Sequence, residues 1–394
     1  MSVSTDPPFR VVDRPLSVYR RKRFLVPFLS ATAVALVGVI TLFAGGVVAL
    51  PFDRVVVIRG KMASKSDFFT DPEVQRILMG YGLQVTVDKA GSRDIANGDL
   101  DPYDFVFPSG QPAADLIKDR RTREHRHTKV FKPFFSPVVL ATYREYAEAL
   151  RANGIATPQG PLYYDMPMPA FTAQLGRFAP WRELDPSLRN DNQVTAQTSD
   201  VCSSNSAGTY LGMVAFAENG NRIPQDEESA RALARKVKPL LTIQGMPGDD
   251  MARSYLAPNG QTLAPIAVIY EHQFLAHQIR VKRQTGRVDD RRVLLYPAAQ
   301  LQAVPELIGL DEAGDRLGEL MTTDPDLRAR ALELGFRVFE GDDPATAGEF
   351  SRFLTGAGIP VPTSGIGNTE TFLPPLPLLE LMINEVGQCP VPTP

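Results

Sequence analysis

Short apolar runs alternate with segments of helical periodicity along most of the chain after residue 54. Residues 54–59 ("RVVVIR"), Leu83–Lys89 and Phe105–Phe107 have strand-like patterns, and helix start and stop signals separate the first two in "TDPEVQRILMGYG". The same alternation returns at residues 264–270 ("APIAVIY") and 293–296 ("VLLY"), with helical segments before and after them. Strands and helices in turn predict an α/β protein built on open sheets.

A different pattern precedes these elements. Residues 24–52 contain no charged side chain and are numerous enough to cross a bilayer as a helix. The basic cluster "RRKR" ends at Arg23, so the positive-inside rule places residues 1–23 in the cytoplasm and the body of the protein outside. We therefore expect a single-pass cell-membrane protein with an anchor at 24–52. A cleaved signal peptide is the alternative, although the run is longer than a usual signal sequence.

Composition and charge narrow the class of protein. Of 394 residues, 43% are hydrophobic and 22% are charged, which is typical of a globular chain. The net charge is −3; residues 1–23 carry six basic and two acidic side chains, a net +4, which leaves −7 for the rest. An acidic body disfavours nucleic acid as a partner.

The chain has two cysteines, Cys202 and Cys389, and the predicted topology places both outside the membrane. An oxidising compartment permits a disulfide between them, and two free buried thiols are the alternative. A disulfide would tie residue 389 to the polar stretch around residue 202.

Sequence motifs for catalysis or metal binding are missing. The chain contains no G-x-S-x-G elbow, no phosphate-binding P-loop and no G-x-G-x-x-G after a strand. Its four histidines are His125 and His127 in a charged run, and His272 and His277, whose spacing does not match a zinc motif. We therefore predict a protein that is not an enzyme and that needs no cofactor or metal.

The stretch "SDVCSSNSAGTYLGMVAFAENG" (199–220) joins a polar run directly to an apolar helix. Ser204, Asn205 and Ser206 lie where the first turn of that helix leaves backbone N–H groups unpaired. The stretch either caps the helix or receives a ligand with anionic or hydrogen-bond-accepting groups.

Several segments in order resemble the extracellular solute-binding proteins of ABC importers, which have the type 2 periplasmic-binding-protein fold. They are "VVVIRG", "YDFVFPSG", "PFFSPVVLATY", "APIAVIYEHQF" and "MTTDPDLRARALELGFRV". The resemblance implies two α/β lobes joined by two hinge crossings, here preceded by the transmembrane helix. Lobe 1 would comprise residues 54–141 and 271–394, and lobe 2 residues 142–270.

On that fold the ligand lies between the lobes, near the carboxyl ends of strands. The resemblance and the positions of polar residues imply nine ligand-binding candidates: Lys61, Ser64, Ser109, Ser136, Ser204, Asn205, Ser206, Tyr270 and Glu271. Glu271 is the ambiguous member, because a carboxylate in the site would favour a cation over an anion.

The expected function is capture of a small polar or anionic solute by hinge closure, for transport or sensing, with a membrane permease or another envelope protein as partner. The alternative is an envelope interaction or assembly module that kept the fold and lost the solute. A hydrolase using one of the serines is a third hypothesis, and the sequence indicates no base for it.

Overall fold

The computed structural model describes residues 22–44, 55–63, 65–243, 245–246, 251–297, 305–339, 348–362 and 373–389. The strands, in chain order, are β1 (Val56–Met62), β2 (Leu83–Lys89), β3 (Phe105–Phe107), β4 (Lys129–Phe131), β5 (Phe134–Phe135), β6 (Val138–Tyr143), β7 (Thr157–Pro158), β8 (Tyr163–Met166), β9 (Ile266–Tyr270), β10 (Arg292–Pro297), β11 (Leu307–Gly309) and β12 (Arg337–Val338).

The helices are α1 (Lys22–Ala44), α2 (Ser66–Thr70), α3 (Pro72–Gly80), α4 (Ser92–Asn97), α5 (Gln111–Arg123), α6 (Arg144–Ala152), α7 (Met168–Leu175), α8 (Trp181–Leu184), α9 (Asn205–Glu218), α10 (Glu227–Thr242), α11 (Met251–Leu256), α12 (Gly260–Leu263), α13 (Glu271–Thr285), α14 (Glu312–Thr323), α15 (Pro325–Glu333), α16 (Gly348–Gly356) and α17 (Leu376–Gly387). The predicted alternation of strand and helix is confirmed.

The first sheet has the order β2-β1-β3-β11-β4. Strand β1 pairs in parallel with β2 and β3, because helical segments carry the chain back between successive strands. Strand β11 pairs antiparallel with both β3 and β4. The carboxyl ends of β1 and β3 therefore lie side by side at one edge, and the residues that follow them are neighbours.

The second sheet has the order β7-β8-β10-β6-β9. Strand β6 pairs antiparallel with β9 and β10, and β10 pairs in parallel with β8. Every residue of β6 and β9 is buried, which explains why their sequences are continuously apolar instead of alternating.

Two crossings join the sheets, as the resemblance implies. The first runs from β4 to β6 and contains β5, which pairs antiparallel with β12 in a two-stranded ribbon. The second runs from β10 to β11 through residues 298–304, which lie outside the described residues. A buried hydrophobic cluster continues through both sheets and through the region where they meet, which is called the junction below.

The sheet topology corrects the predicted lobe boundaries. Residues 138–141 were assigned to lobe 1, but they belong to β6 in the second sheet. Residues 271–297 were also assigned to lobe 1, whereas β10 is an inner strand of the second sheet. The return crossing therefore follows residue 297 and not residue 270. Helix α17, likewise assigned to lobe 1, packs against α9 and α10.

The amino-terminal helix α1 covers part of the predicted anchor, and residues 45–52 lie outside the described residues. Large apolar side chains of α1, among them Phe28 and Val34, are exposed. Within the part of the chain that is described, no helix combines the length and hydropathy needed to cross a bilayer.

Candidate functional site

Lys65 occupies the most unusual environment near the carboxyl end of β1. It is the N-cap residue of α2, three positions after the strand ends, and only 1% of its surface is exposed. Its Nζ donates a long hydrogen bond of 3.4 Å to the Ser109 carbonyl oxygen and lies 4.2 Å from the centre of the Tyr270 ring. Burial lowers the pKa of Lys65 to about 7. Among the described residues, no carboxylate pairs with it.

Residues from the two sheets meet around this lysine. Ser109 and Gly110 follow β3, whereas Tyr270 ends β9 and Asn205 begins α9. The Asn205 Nδ2 donates to the Tyr270 hydroxyl at 3.1 Å. The amide of Asn205 also lies so close to Gly110 that any side chain at Gly110 would collide with it. The junction thus brings an ammonium, an amide and a phenol together.

A small gap adjoins this junction and lies between α4 and α5 on one side and α9 and α17 on the other. Its volume is about 40 Å³. Asn205 forms part of its wall and also contacts Tyr270. Ser92 forms another part, and its hydroxyl accepts a hydrogen bond from the Ser109 backbone N–H at 3.0 Å. Asn205 therefore links the gap to Tyr270, and Ser92 links it to Ser109. Tyr270 and Ser109 are the two residues that contact Lys65.

The serine-rich stretch lies at this gap, at the N-terminus of α9. Ser204 is the N-cap residue, but its side chain makes no capping hydrogen bond. Its hydroxyl instead accepts from Ser199 at 3.0 Å and lies 3.0 Å from the hydroxyl of Ser206. Simple side-chain capping by Ser204 is therefore not the role of this stretch. The positive end of the α9 dipole faces the region of Asn205.

Glu271 has a structural partner. The Arg337 guanidinium donates two hydrogen bonds of 2.6 Å to its carboxylate, and the Tyr296 hydroxyl donates a third at 2.5 Å. Glu271 is fully buried and Arg337 is nearly so. Burial opposes the charged guanidinium, but Glu271 outweighs it and raises the pKa of Arg337. The carboxylate is thus committed to the hinge ribbon, which removes the ambiguity over a cationic ligand.

Ser136 is also committed to a partner. Its hydroxyl accepts from the His272 backbone N–H at 3.0 Å and lies 3.0 Å from the His272 Nδ1. The contact resembles the start of a catalytic dyad, but Ser136 is completely buried and its oxygen already accepts one bond. Burial, with a smaller effect from Lys65, lowers the pKa of His272 well below its usual value. This geometry favours capping of α13 over nucleophilic catalysis.

The two first-loop candidates do not line the site in the described structure. The Lys61 ammonium lies 5.6 Å from the centre of the Tyr103 ring and packs against Gly98. Ser64 lies outside the described residues. Of the nine candidates, Ser109, Ser204, Asn205 and Tyr270 lie at the junction or the adjoining gap, and Ser206 contacts Ser204. Their role as ligands stays a prediction.

Sequence reasoning missed Lys65, although it named Lys61 and the directly preceding Ser64 in "KMASKSDFF". A signal was present: Lys65 stands directly before the buried "SDFF" helix, after a strand that the pattern identifies. A lysine within a buried apolar turn requires either a partner or a ligand.

Of the two alternatives for the cysteines, the structure contains the disulfide: Cys202 is bonded to Cys389, with 5.4 Å between their Cα atoms. The bond joins the serine-rich stretch to the end of α17. Arg93 on α4 connects this wall to the first sheet, because its guanidinium donates to the Glu380 carboxylate and, at 3.3 Å, to the Cys202 carbonyl. The far wall of the gap is thus fixed covalently.

No family model and no curated protein matches the chain. Matches among solved structures include the sulfate-binding protein SubI of Mycobacterium tuberculosis, at 15% identity over 78% of this chain and 92% of that chain, with a TM-score of 0.45. Iron-bound HitA of Pseudomonas aeruginosa matches at 12% identity over 77% and 98%, also at 0.45. The periplasmic molybdate-binding protein of Azotobacter vinelandii matches at 11% identity over 72% and 100%, at 0.41. Similarity this low assigns neither a ligand nor an activity to this chain.

Proposed function

We propose that this protein binds a compact anion between its two sheets and performs no covalent chemistry on it. The observation that carries this proposal is the buried Lys65 ammonium, for which the described residues supply no carboxylate. An isolated buried charge is unfavourable, so a site that retains one is suited to an anionic ligand. The other groups at the junction, the Asn205 amide and the Tyr270 hydroxyl, can donate hydrogen bonds to the same anion.

The volume of the adjoining gap is consistent with a compact ligand. A volume of about 40 Å³ accommodates a small ion without movement of the sheets. Entry of any ligand to Lys65 requires that Asn205 moves away from Gly110 and that Tyr270 moves away from Lys65. Rotation of the sheets about the two crossings, with β5 and β12 as the hinge, would allow this movement.

We also propose that the body of the protein lies outside the cytoplasm, attached to the membrane. The Cys202–Cys389 disulfide favours an oxidising compartment outside the cytoplasm. The charge-free run 24–52 supports attachment to the membrane, which stays a prediction from the sequence. A permease or another envelope protein is the expected partner of such a protein.

Isothermal titration calorimetry and thermal unfolding with sulfate, nitrate, phosphate and acetate at about pH 6 test the proposal. We expect at least one anion to bind and to raise the midpoint of thermal unfolding, and we expect Lys65→Met to weaken the binding strongly and to reduce the rise in the midpoint. Lys61→Met is the matched control, because Lys61 lies against Tyr103 and away from the junction. Equal anion binding by wild type and Lys65→Met would contradict the proposal.

The direct contact between the sheets favours a second candidate, an envelope interaction module that no longer takes a solute. Asn205 lies against Gly110, and the Tyr270 ring covers Lys65. Small-angle scattering distinguishes the two candidates. A solute-binding protein shows a change in its scattering profile between anion-free and anion-saturated samples, whereas an interaction module shows none.

A further inference from the structure

Lys65 is a buried base, and the residues that the structure describes give it no carboxylate partner. Its contacts are a carbonyl oxygen at 3.4 Å, which is a weak hydrogen bond, and the face of an aromatic ring. Neither stabilises an ammonium as a carboxylate would. The favoured response of such a group is to lose its proton, and its pKa of about 7 agrees with this.

The titratable groups that face Lys65 do not compete with it for the proton. His272 on α13 is held neutral by burial and by Lys65 itself, which lower its pKa well below the usual value. The Tyr270 phenol contacts Lys65 through the face of its ring, and its oxygen accepts from Asn205. Glu271, which directly follows Tyr270 in the chain, is paired with Arg337. Lys65 is therefore the group at the junction whose charge changes near neutral pH.

We propose that the site takes up its anion together with one proton, which the Lys65 Nζ binds. This inference rests on the proposed function and specifies how that site is regulated. An anion next to the ammonium stabilises the protonated form and raises its pKa, typically by about 1 to 3 units. By linkage, the protonated site binds the anion more tightly than the neutral site does.

The consequence is a defined pH dependence of affinity. Below about pH 7 Lys65 is already protonated, so affinity is constant and no proton is taken up. Above this pH, affinity for a permanently ionised anion falls about tenfold per pH unit until the pKa of the bound state is reached. A protein of this kind loads its anion in a neutral or acidic medium and releases it as the medium becomes alkaline.

Calorimetry with sulfate as the probe tests this inference, because sulfate does not itself titrate from about pH 6 to about pH 9. Titrations in two buffers of different ionisation enthalpy at each pH give the number of protons taken up. We expect uptake near zero at about pH 6 and approaching one at about pH 8, together with the fall in affinity. Wild-type protein suffices for this measurement, so the result does not depend on a variant that folds.

Two variants assign the proton to Lys65. Lys65→Met is expected to bind sulfate weakly, with no change between pH 6 and pH 8, and Lys61→Met is expected to behave as wild type. Sulfate binding without proton uptake at about pH 8, or an unchanged pH dependence in Lys65→Met, would overturn the inference and leave the anion site standing. If sulfate alone does not bind, nitrate, which also does not titrate in this range, replaces it as the probe. Failure of all four anions to bind at about pH 6 would overturn both.

Discussion

At the junction between the sheets, the buried Glu271 carboxylate and the buried Lys65 ammonium have opposite environments. Glu271 lies against Arg337 and Tyr296, which satisfy its carboxylate with three short hydrogen bonds. Lys65 is buried to the same degree, and its contacts are a long bond to a carbonyl and an aromatic face. Burial alone therefore does not identify a ligand site. The two sites differ in their counter-charge: the protein pairs Glu271 with Arg337, whereas the described residues give Lys65 no carboxylate.

The same difference predicts opposite effects of mutation. Arg337→Met leaves the Glu271 carboxylate buried without its counter-charge, and we expect a loss of about 3–5 kcal/mol in the free energy of unfolding, measured by urea denaturation. Arg283→Met is the control, because the Arg283–Glu333 pair is half exposed and contributes about 1 kcal/mol or less. Equal losses in the two variants would show that Glu271 does not depend on Arg337.

The disulfide fixes the wall of the gap next to Lys65 and does not touch the Glu271 pair. Replacement of both Cys202 and Cys389 by serine is expected to reduce the free energy of unfolding by about 2–4 kcal/mol. Because the bond joins α17 to the residues before α9, anion affinity should also fall several-fold. Calorimetry and urea denaturation on the same sample measure both. A loss of stability with unchanged affinity would mean that the bond does not position Asn205.

Lys65→Met should stabilise the anion-free protein, the reverse of Arg337→Met. The pKa of Lys65 is about 7 when folded and 10.5 in the unfolded chain. Its burial therefore destabilises the protein fully below about pH 7, and this penalty is lost as the pH rises toward 10.5. Wild type should gain about 1.4 kcal/mol or less per pH unit between about pH 7 and pH 9.5.

Thermal unfolding across this pH range measures the effect. The Lys65→Met protein should unfold at a higher temperature than wild type at about pH 7, and the difference should shrink as the pH rises. A Lys65→Met protein that is less stable than wild type at about pH 7 would indicate that Lys65 has a structural partner, as Glu271 does.

Substitution of Asn205 is expected to have the smallest effect of these variants, because its amide supplies one uncharged hydrogen-bond donor to the anion. Asn205→Ala should weaken anion binding about tenfold, which corresponds to one hydrogen bond to a charged group of about 1.4 kcal/mol. Asn219→Ala, at the other end of α9, is the control and should leave affinity unchanged. Calorimetry at about pH 6 compares them. An unchanged affinity in Asn205→Ala would exclude its amide from the site.

The sequence allowed prediction of the α/β class, the first crossing and most of the polar residues at the junction, but it misplaced the return crossing. Ser109 and Tyr270 follow from local rules, since polar residues at the carboxyl ends of strands converge. The lobe boundaries were wrong because "VLLY" carries no local sign of which sheet it joins, and β10 pairs with β6, more than a hundred residues earlier.

The assignment of charges failed for the same reason. Glu271 could not be recognised as structural, because its partner Arg337 lies 66 residues away and is brought to it by the β5–β12 ribbon. The position of Lys65 before a buried helix is a sequence signal, but the signal does not show whether a carboxylate lies next to the ammonium. A missing partner becomes visible only when the neighbours from both sheets are known.

The most direct test is the crystal structure of the wild-type protein grown with selenate at about pH 6, with the selenium located by its anomalous scattering. Selenate has the shape and charge of sulfate, so the peak marks the anion itself. We expect one peak between the sheets, within hydrogen-bond distance of the Lys65 Nζ and the Asn205 Nδ2. Selenium only at the surface, with Tyr270 still covering Lys65, would contradict an anion site at this junction.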